Sequence, residues 1–521
     1  MYSPRPSGAS ASPNNDTAED TEKVQAIYES FQFAPLWKRL GDCLSIIEEK
    51  TDTEHVTTVL LPLIESLMVV CKYVGTNSIN RVLRATSSPR SPTTPKESME
   101  ELFVTFTDAH RKVLNVMVRN NPSLMSGSFS LLVHNPRVLD FDNKRNYFTQ
   151  QLHRKPHARE HHGTIQLGVR RARVFEDSFQ QIMRKTGDQI KYGKLNIRFH
   201  EEEGVDAGGL TREWFQILAR QMFDPNNALF QPCAADRLTY QPNKNSWVNP
   251  EHLSFFKFVG RVIGKAIYDG RLLDAYFARS LYRQLLGKPV DYKDVEWVDP
   301  EYYNSLCWIL ENDPTLLELT FSVEADEFGV NRIVPLKEGG DSIAVTQENK
   351  REFVQLSAQY RLYSSIKEQI EHLSAGFYEI IPKDLITIFN EQELELLISG
   401  TPDIDVDEWR AATEYNGYTS SDPNIVWWWR ALKSFNRDER AKVLSFATGT
   451  SRVPLNGFVD LQGVQGVQKF SIHRAYGESD RLPQAHTCFN QIDLPQYSSY
   501  EMLRQQVLLA ISEGGEGFGF V

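Results

Sequence analysis

Residues 481–495 read Arg-Leu-Pro-Gln-Ala-His-Thr-Cys-Phe-Asn-Gln-Ile-Asp-Leu-Pro, and the two outer prolines constrain what this stretch can form. Proline removes a backbone donor and clashes with the preceding helical turn. Pro483 and Pro495 therefore argue against a helix through the segment, which reads as an extended loop or short strand. Residues two apart in an extended chain face the same side. That places His486, Cys488 and Asn490 on one face, whereas a helix would separate them. A thiol beside an imidazole and an amide has the pattern of a nucleophile with polar neighbours. The alternative is a buried cysteine acting as a small hydrophobe. Such cysteines usually sit in apolar runs, and Ala-His-Thr-Cys-Phe-Asn-Gln is half polar.

Composition excludes several classes. The 521 residues leave room for roughly two to four domains. An apolar content of 41% with 24% charged residues is that of a globular protein. A formal net charge of -11 argues against broad nucleic-acid binding, which requires a basic face. Cys43, Cys71, Cys233, Cys307 and Cys488 are odd in number and far apart, so they form neither a disulfide framework nor a paired-ligand zinc site. A reducing intracellular compartment, cytoplasm or nucleus, is the natural expectation. The first twenty residues lack the apolar core of a secretory signal. The most apolar stretch, Val56 to Val74, is broken by Pro62, Glu65 and Lys72. It reads as a buried helix rather than a membrane span.

In order along the chain, residues 1–22 are rich in Ser, Pro, Asn and Asp and are expected to be disordered. Residues 23–75 show helical spacing, as in Phe33, Leu36, Trp37 and Leu40. Residues 76–98 contain the proline-punctuated run Ser87 to Pro95 and read as a linker. Residues 99–184 read as a further helical extension, with Leu102, Phe103, Phe106, Val113 and Met117 on one face. Residues 185–400 mix short strands, such as Lys194 to Phe199, with helices expected over Phe255–Ile267 and Leu272–Leu286. Gly400 and Pro402 mark a hinge at 401–404, and 405–521 form a second, smaller unit. Gly260-Arg-Val-Ile-Gly-Lys-Ala266 looks superficially like a phosphate loop. It is one residue short, has Ala266 in place of the metal-binding hydroxyl, and lies within a helical pattern.

The string Leu-Pro-x-Ala-His-Thr-Cys-Phe-Asn-x-x-Asp-Leu-Pro-x-Tyr resembles the active-site loop of HECT-type ubiquitin ligases. Further blocks carry the same resemblance: Glu202-Glu-Gly-Val-Asp206 with Gly208, Gly209 and Arg212-Glu-Trp214; Thr413-Glu-Tyr415 with Tyr418; Trp427-Trp-Trp-Arg430; and Phe446-Ala-Thr-Gly-Thr-Ser-Arg-Val-Pro454. It covers about 185–521. The likeness is greater to the giant HECT ligases of the Mule type and their fungal counterparts. It rests on the stretch from His134 to Phe148, the run Gly376–Gly400 and the terminal Gly-Phe-Gly-Phe-Val. The large further domains of those giants are missing here. The chain is therefore expected to be a C-terminal piece or a short member.

The resemblance implies an α+β, bilobal fold with a mostly helical N-lobe, a hinge and a smaller C-lobe, preceded by a helical extension. It implies an enzyme that takes ubiquitin from a conjugating enzyme as a thioester on Cys488 and passes it to a lysine of a protein substrate, with no cofactor, metal, nucleic acid or membrane involved. His486 and Thr487 flank the nucleophile. Arg452 orients the loop or steadies an oxyanion, or else is an ordinary ion-pair partner. Glu202 and Asp206 become candidates for handling the incoming lysine, set against plain helix capping by acids at a positive N-terminus. Phe518, four residues from the end, is implied in the transfer step, set against a frayed terminus. Tyr302, Leu306, Leu317, Leu319 and Phe353 are assigned to the conjugating-enzyme groove. The family usually has an aliphatic residue in place of Tyr302 and often an aromatic in place of Ser357, which puts the preferred conjugating enzyme in question.

Two rivals predict different behaviour. A cysteine hydrolase using Cys488 with His473 or His486 would release free ubiquitin or peptide without a conjugating enzyme. A non-catalytic helical interaction protein would be indifferent to loss of Cys488.

Overall fold

A computed structural model describes residues 34–49, 60–82, 99–154, 163–200, 209–235, 239–327, 330–400, 404–448, 453, 457–463, 466–477 and 480–513. The expected disordered segment 1–22 and most of the expected linker lie outside these residues. The chain divides into two units, 1–154 and 155–521.

In the first unit, helices α1 (Ala34–Glu49), α2 (Leu61–Val82), α3 (Met99–Ala109), α4 (Arg111–Asn120) and α5 (Phe141–Leu152) follow the apolar spacing of the sequence. Helix α4 buries Val113, Leu114, Met117 and Val118 along one side, the recurrence that a 3.6-residue turn requires. Helix α2 runs on to Val82, so the linker expected from 76 begins later; the first prolines lie beyond it. Asn115 ties this unit together. Its Nδ2 donates to the Val138 carbonyl at 2.7 Å, and its Oδ1 accepts from the Asp140 N–H and from Asn143 Nδ2. Buried amides persist when their bonds are made.

The second unit begins with β1 (Thr164–Val169), α6 (Val174–Ile182), α7 (Gly187–Tyr192) and β2 (Lys194–Phe199). β1 pairs with β2 in parallel, Ile165 opposite Leu195 and Val169 opposite Phe199. The expected boundary at 185 is thereby corrected: it falls inside a strand–helix–strand unit that begins near 164. β1 also breaks the helical reading of 99–184. Next come α8 (Gly209–Met222), the hairpin β3 (Phe230–Pro232) and β4 (Tyr240–Pro242), and α9 (His252–Tyr268). The helix expected over Leu272–Leu286 shrinks to α10 (Arg279–Leu285). Residues before it are extended because the Leu273 N–H bonds the Ile398 carbonyl and the Ala278 N–H bonds that of Tyr240.

Then follow α11 (Pro300–Glu311), the hairpin β5 (Ser322–Glu327) and β6 (Val330–Pro335), α12 (Lys350–Leu362), α13 (Lys367–Tyr378) and α14 (Glu391–Ser399). α9 and α13 lie backbone to backbone on a seam of glycines. A Cβ on Gly260 would stand 1.9 Å from the Leu373 carbonyl oxygen, and one on Gly376 2.0 Å from that of Lys257. The phosphate-loop lookalike is this seam. Its Arg261 is buried, with Nε donating to Glu379 at 2.7 Å and Nη1 to the Ile182 and Lys185 carbonyls. Lys265 donates to the Gly193 carbonyl and to Asp269. Both cations therefore bind protein groups.

The remainder comprises α15 (Val406–Ala411), β7 (Glu414–Asn416), α16 (Pro423–Ser434), α17 (Arg437–Thr448), β8 (Gln462–Gly463), β9 (Gly466–Val467), β10 (Ser471–Ala475), β11 (Gln484–His486), β12 (Gln491–Pro495) and α18 (Tyr500–Glu513). Four strands form one sheet in the order β11-β12-β10-β7. Its core holds Trp409, Trp428, Trp429, Phe458, Phe470, Ile472, Ile492 and Leu494. Trp409 stacks on Phe458 with centroids 5.0 Å apart. Adjacent tryptophans thus serve packing, as their spread around a helix requires. Residues 401–403 of the expected hinge lie outside the described residues. Ile404 is buried in this core and belongs to the smaller lobe rather than to a joint. Gly400 has a φ of 75°, and its N–H donates to the Leu396 carbonyl. Proline at 400 would strain the fold itself.

Candidate active site on the C-terminal sheet

The segment 481–495 forms two strands with a turn between them. β11 pairs antiparallel with β12, His486 opposite Gln491 and Gln484 opposite Asp493. β12 runs parallel to β10, Ile472 opposite Ile492. Between β11 and β12, Thr487–Phe489 form one 3-10 turn, with Cys488 at its centre. α17 packs against β11 and this turn. The two ends of the segment are pinned. Tyr497 OH donates to the Arg481 carbonyl at 2.7 Å, and Tyr418 OH to that of Leu494 at 3.0 Å. Burial pushes the Tyr497 phenol up, so it stays a neutral donor.

This geometry corrects the expectation of an extended chain with three residues on one face. Asn490 takes the left-handed conformation, with φ 48° and ψ 43°, which asparagine tolerates better than most residues. Its side chain is buried, and Nδ2 donates to the Gln468 carbonyl at 2.7 Å. Its own carbonyl accepts from the Ser471 N–H. Asn490 therefore builds the turn that contains Cys488, and its own amide is buried. The prolines did exclude a long helix, but a single 3-10 turn fits between them.

His486, at the start of this turn, is partly exposed. Its Nε2 lies 3.0 Å from Asp493 Oδ2 across the strand pair. Gln491 Nε2 donates to the other oxygen of the same carboxylate at 2.6 Å. Neither partner figured in the sequence reading. The alternation of β12 carried the signal, because Gln491 and Asp493 share the face opposite Ile492 and Leu494. Thr487 is half-buried in the turn. Arg452, Glu202, Asp206 and Phe518 lie outside the described residues.

The surroundings of three other cysteines disfavour a thiolate. Cys71 and Cys233 are fully buried, and burial pushes the Cys71 thiol up to about 12. Burial also raises Cys307. A thiolate nucleophile needs the opposite environment.

The residues assigned to the groove separate into two groups. Leu306 and Phe353 are buried in one cluster with Phe321, Val354 and Ala358. They are core, which corrects their assignment as contacts. Tyr302 and Leu319 pack partly buried against that cluster, and burial raises the Tyr302 phenol. Ser357 is fully buried. Leu317 is exposed, and its neighbour Leu316 is 92% exposed on the 3-10 turn Pro314–Leu317. Trp308 on α11 is exposed as well. Leu316 and Trp308 were absent from the sequence reading, because an apolar letter does not say which way it faces.

Residues 216–521 match the HECT-domain (ubiquitin-transferase) family. The chain belongs to the HECT family. It is 55% identical over 510 residues to the E3 ubiquitin-protein ligase TOM1-like of Neurospora crassa, covering 97% of this chain and 12% of that protein. It is 52% identical over 501 residues to the E3 ubiquitin-protein ligase TOM1 of Saccharomyces cerevisiae, covering 96% and 15%. It is 45% identical over 539 residues to the E3 ubiquitin-protein ligase HUWE1 of Mus musculus, covering 96% and 12%. The chain thus spans less than a fifth of the length of these HECT relatives. The matched region holds the sheet, the Cys488 turn and the exposed leucines. Its α+β, two-lobed form is the one the resemblance implied. Among the described residues no helix is long and apolar enough to cross a membrane.

Proposed function

We propose that this chain accepts ubiquitin from a conjugating enzyme as a thioester on Cys488 and transfers it to a lysine of a protein substrate. The observation that carries this reading is the Cys488 turn, held between β11 and β12 inside the region matched to the family. Thioester exchange trades one thioester for another and is nearly isoenergetic, so the protein has mainly to position two sulfurs. A thiol with a pKa of about 8.5 is a few per cent thiolate at neutral pH, enough for an intrinsically strong nucleophile. Aminolysis is harder, because lysine with a pKa of about 10 arrives charged. A proton acceptor and correct orientation lower that barrier. Thr487 flanks the nucleophile. Glu202 and Asp206 act on the lysine side, and Arg452 supports the loop. Exposed Leu316 and Leu317, with partly buried Tyr302 and Leu319, form the conjugating-enzyme surface, an apolar rim around a buried core, as weak transient interfaces have. The protein works inside the cell, in cytoplasm or nucleus.

The test combines the chain with activating enzyme, a panel of conjugating enzymes, ATP and labelled ubiquitin, followed by gels with and without reductant. A reductant-sensitive adduct is expected with at least one conjugating enzyme. Free ubiquitin released without any conjugating enzyme would favour a hydrolase instead.

Phe518 supplies a second expectation. Glycines surround it in Gly514-Gly-Glu-Gly-Phe-Gly-Phe-Val521, and glycine is a poor helix former. Docking one aromatic ring is worth roughly 1.5–3 kcal/mol, a shift between lobe orientations of about tenfold or more, and too little to decide folding. Phe518→Ala should leave loading of Cys488 near wild type and slow discharge to lysine at least about tenfold. Single-turnover loading followed by a lysine chase separates the steps. Equal loss in both would assign the tail to the fold.

A further inference from the structure

The carboxylate of Asp493 is held at both oxygens. Gln491 Nε2 donates to Oδ1 at 2.6 Å, and His486 Nε2 meets Oδ2 at 3.0 Å. The three side chains come from paired strands whose register is fixed, His486 opposite Gln491 and Gln484 opposite Asp493. β12 is anchored on its other edge by β10. Hydrophobic alternation pins that register, since Ile492 and Leu494 are fully buried and a one-residue slip would expose both. The array is therefore rigid on its backbone side and open on its ring side, where His486 is 42% exposed.

An ionised carboxylate accepts hydrogen bonds only. The imidazole nitrogen facing it must carry a proton, so the neutral ring is the Nε2–H form and Nδ1 keeps its lone pair. His486 stands two residues before Cys488, at the mouth of the same turn. From this we infer that Asp493 and Gln491 are positioning residues that hold His486 in the Nε2–H form, so that its Nδ1 accepts the lysine proton during transfer. This rests on the thioester reading of Cys488. In the step, a neutral lysine amine attacks the thioester carbonyl carbon. A C–N bond forms, the C–S bond breaks, and its electron pair leaves on the Cys488 sulfur as thiolate. The proton shed by the nitrogen moves to Nδ1. His486 is then an imidazolium, and its bond to Asp493 becomes charge-assisted at both ends, stronger than in the ground state. A bond that strengthens along the reaction accelerates it, whereas one of constant strength does not. Loading needs no such acceptor, because a thiolate exchanges with a thioester.

Asp493 has other neighbours. His473 is its register partner on β10, and Gln484 faces it from β11. His473→Ala therefore serves as a control.

The test uses the full chain with histidine labelled in its ring nitrogens. Long-range proton–nitrogen spectra above the titration range report which nitrogen is protonated, and His486→Ala assigns the signal. The wild type and His473→Ala should show His486 as the Nε2–H form. In Asp493→Asn, Gln491 still donates to the amide oxygen, which turns the amide NH2 toward the ring. The exclusive Nε2–H signal should be lost. In single-turnover assays the same variant should load Cys488 within about twofold of wild type and discharge to free lysine at least about tenfold more slowly. In a His486→Ala background, Asp493→Asn should add nothing further, as a positioning role through the imidazole demands. An Nδ1–H signal in the wild type would overturn the inference. So would unchanged discharge in Asp493→Asn, or equal loss of loading and discharge. Absence of any adduct on wild-type Cys488 would instead overturn the thioester reading, whichever ring form the spectra report.

Discussion

Gly376→Val should abolish cooperative folding of the larger lobe. A Cβ at 376 would meet the Lys257 carbonyl oxygen at 2.0 Å and the Arg261 amide nitrogen at 3.1 Å. These are backbone atoms of α9, so no rotamer change relieves the clash and the two helices must separate. Separation also breaks the partly buried bond of Arg261 to Glu379, which joins α9 to the residue after α13. Overpacking alone costs about 1–3 kcal/mol, and breaking a buried ion pair about 3–5 kcal/mol. Together these approach the whole stability of a typical domain, about 5–15 kcal/mol. Gly339→Ala is the control. Its φ of 64° strains any side chain, yet nothing lies within 4 Å of the new Cβ. It should cost only about 1–2 kcal/mol. Calorimetry on both variants reads the difference. A near-native melting temperature for Gly376→Val would refute the seam.

Leu306→Asp and Leu316→Asp should part company just as clearly. Leu306 is 1% exposed within the cluster around Phe321 and Phe353. Removing a buried leucine costs about 2–5 kcal/mol, and a carboxylate left in its place adds several more. The variant should melt far below wild type and lose loading only because it unfolds. Leu316 is 92% exposed and makes no comparable contribution to the core. Leu316→Asp should melt within about a degree or two of wild type, since surface changes stay within about 0.5 kcal/mol. It should nevertheless slow loading at least about tenfold, because a desolvated apolar anchor is replaced by a charge. Normal loading by a stable Leu316→Asp would remove this turn from the interface.

These contrasts show where the sequence was readable. The Cys488 segment announced itself through its polar setting and its prolines. The reading of it as extended failed at Asn490, whose left-handed backbone closes a turn that letters alone do not reveal. β2 was legible from Lys194 to Phe199. β1 was missed although Ile165, Leu167 and Val169 alternate in the same way, because polar helical neighbours on both sides outweighed six residues. The stretch before α10 has helical spacing but is extended, since its donors go to Ile398 and Tyr240, partners far away in sequence. Leu306, Phe353 and Leu316 were indistinguishable by type. Only packing separates core from rim, and packing depends on the whole lobe. The bond of His486 to Asp493 was likewise hidden, because it crosses from one strand to its neighbour.

The central claim is that Cys488 carries ubiquitin. The most direct measurement replaces it with serine and follows loading by intact mass and peptide mapping. The wild type should gain the mass of one ubiquitin, lost on adding reductant. Cys488→Ser should gain the same mass more slowly, as an oxygen ester that resists reductant and is released by hydroxide, with the modified peptide containing residue 488. Cys488→Ala should gain none. A reductant-sensitive adduct that persists in Cys488→Ala, or one mapped to Cys43, Cys71, Cys233 or Cys307, would contradict the account.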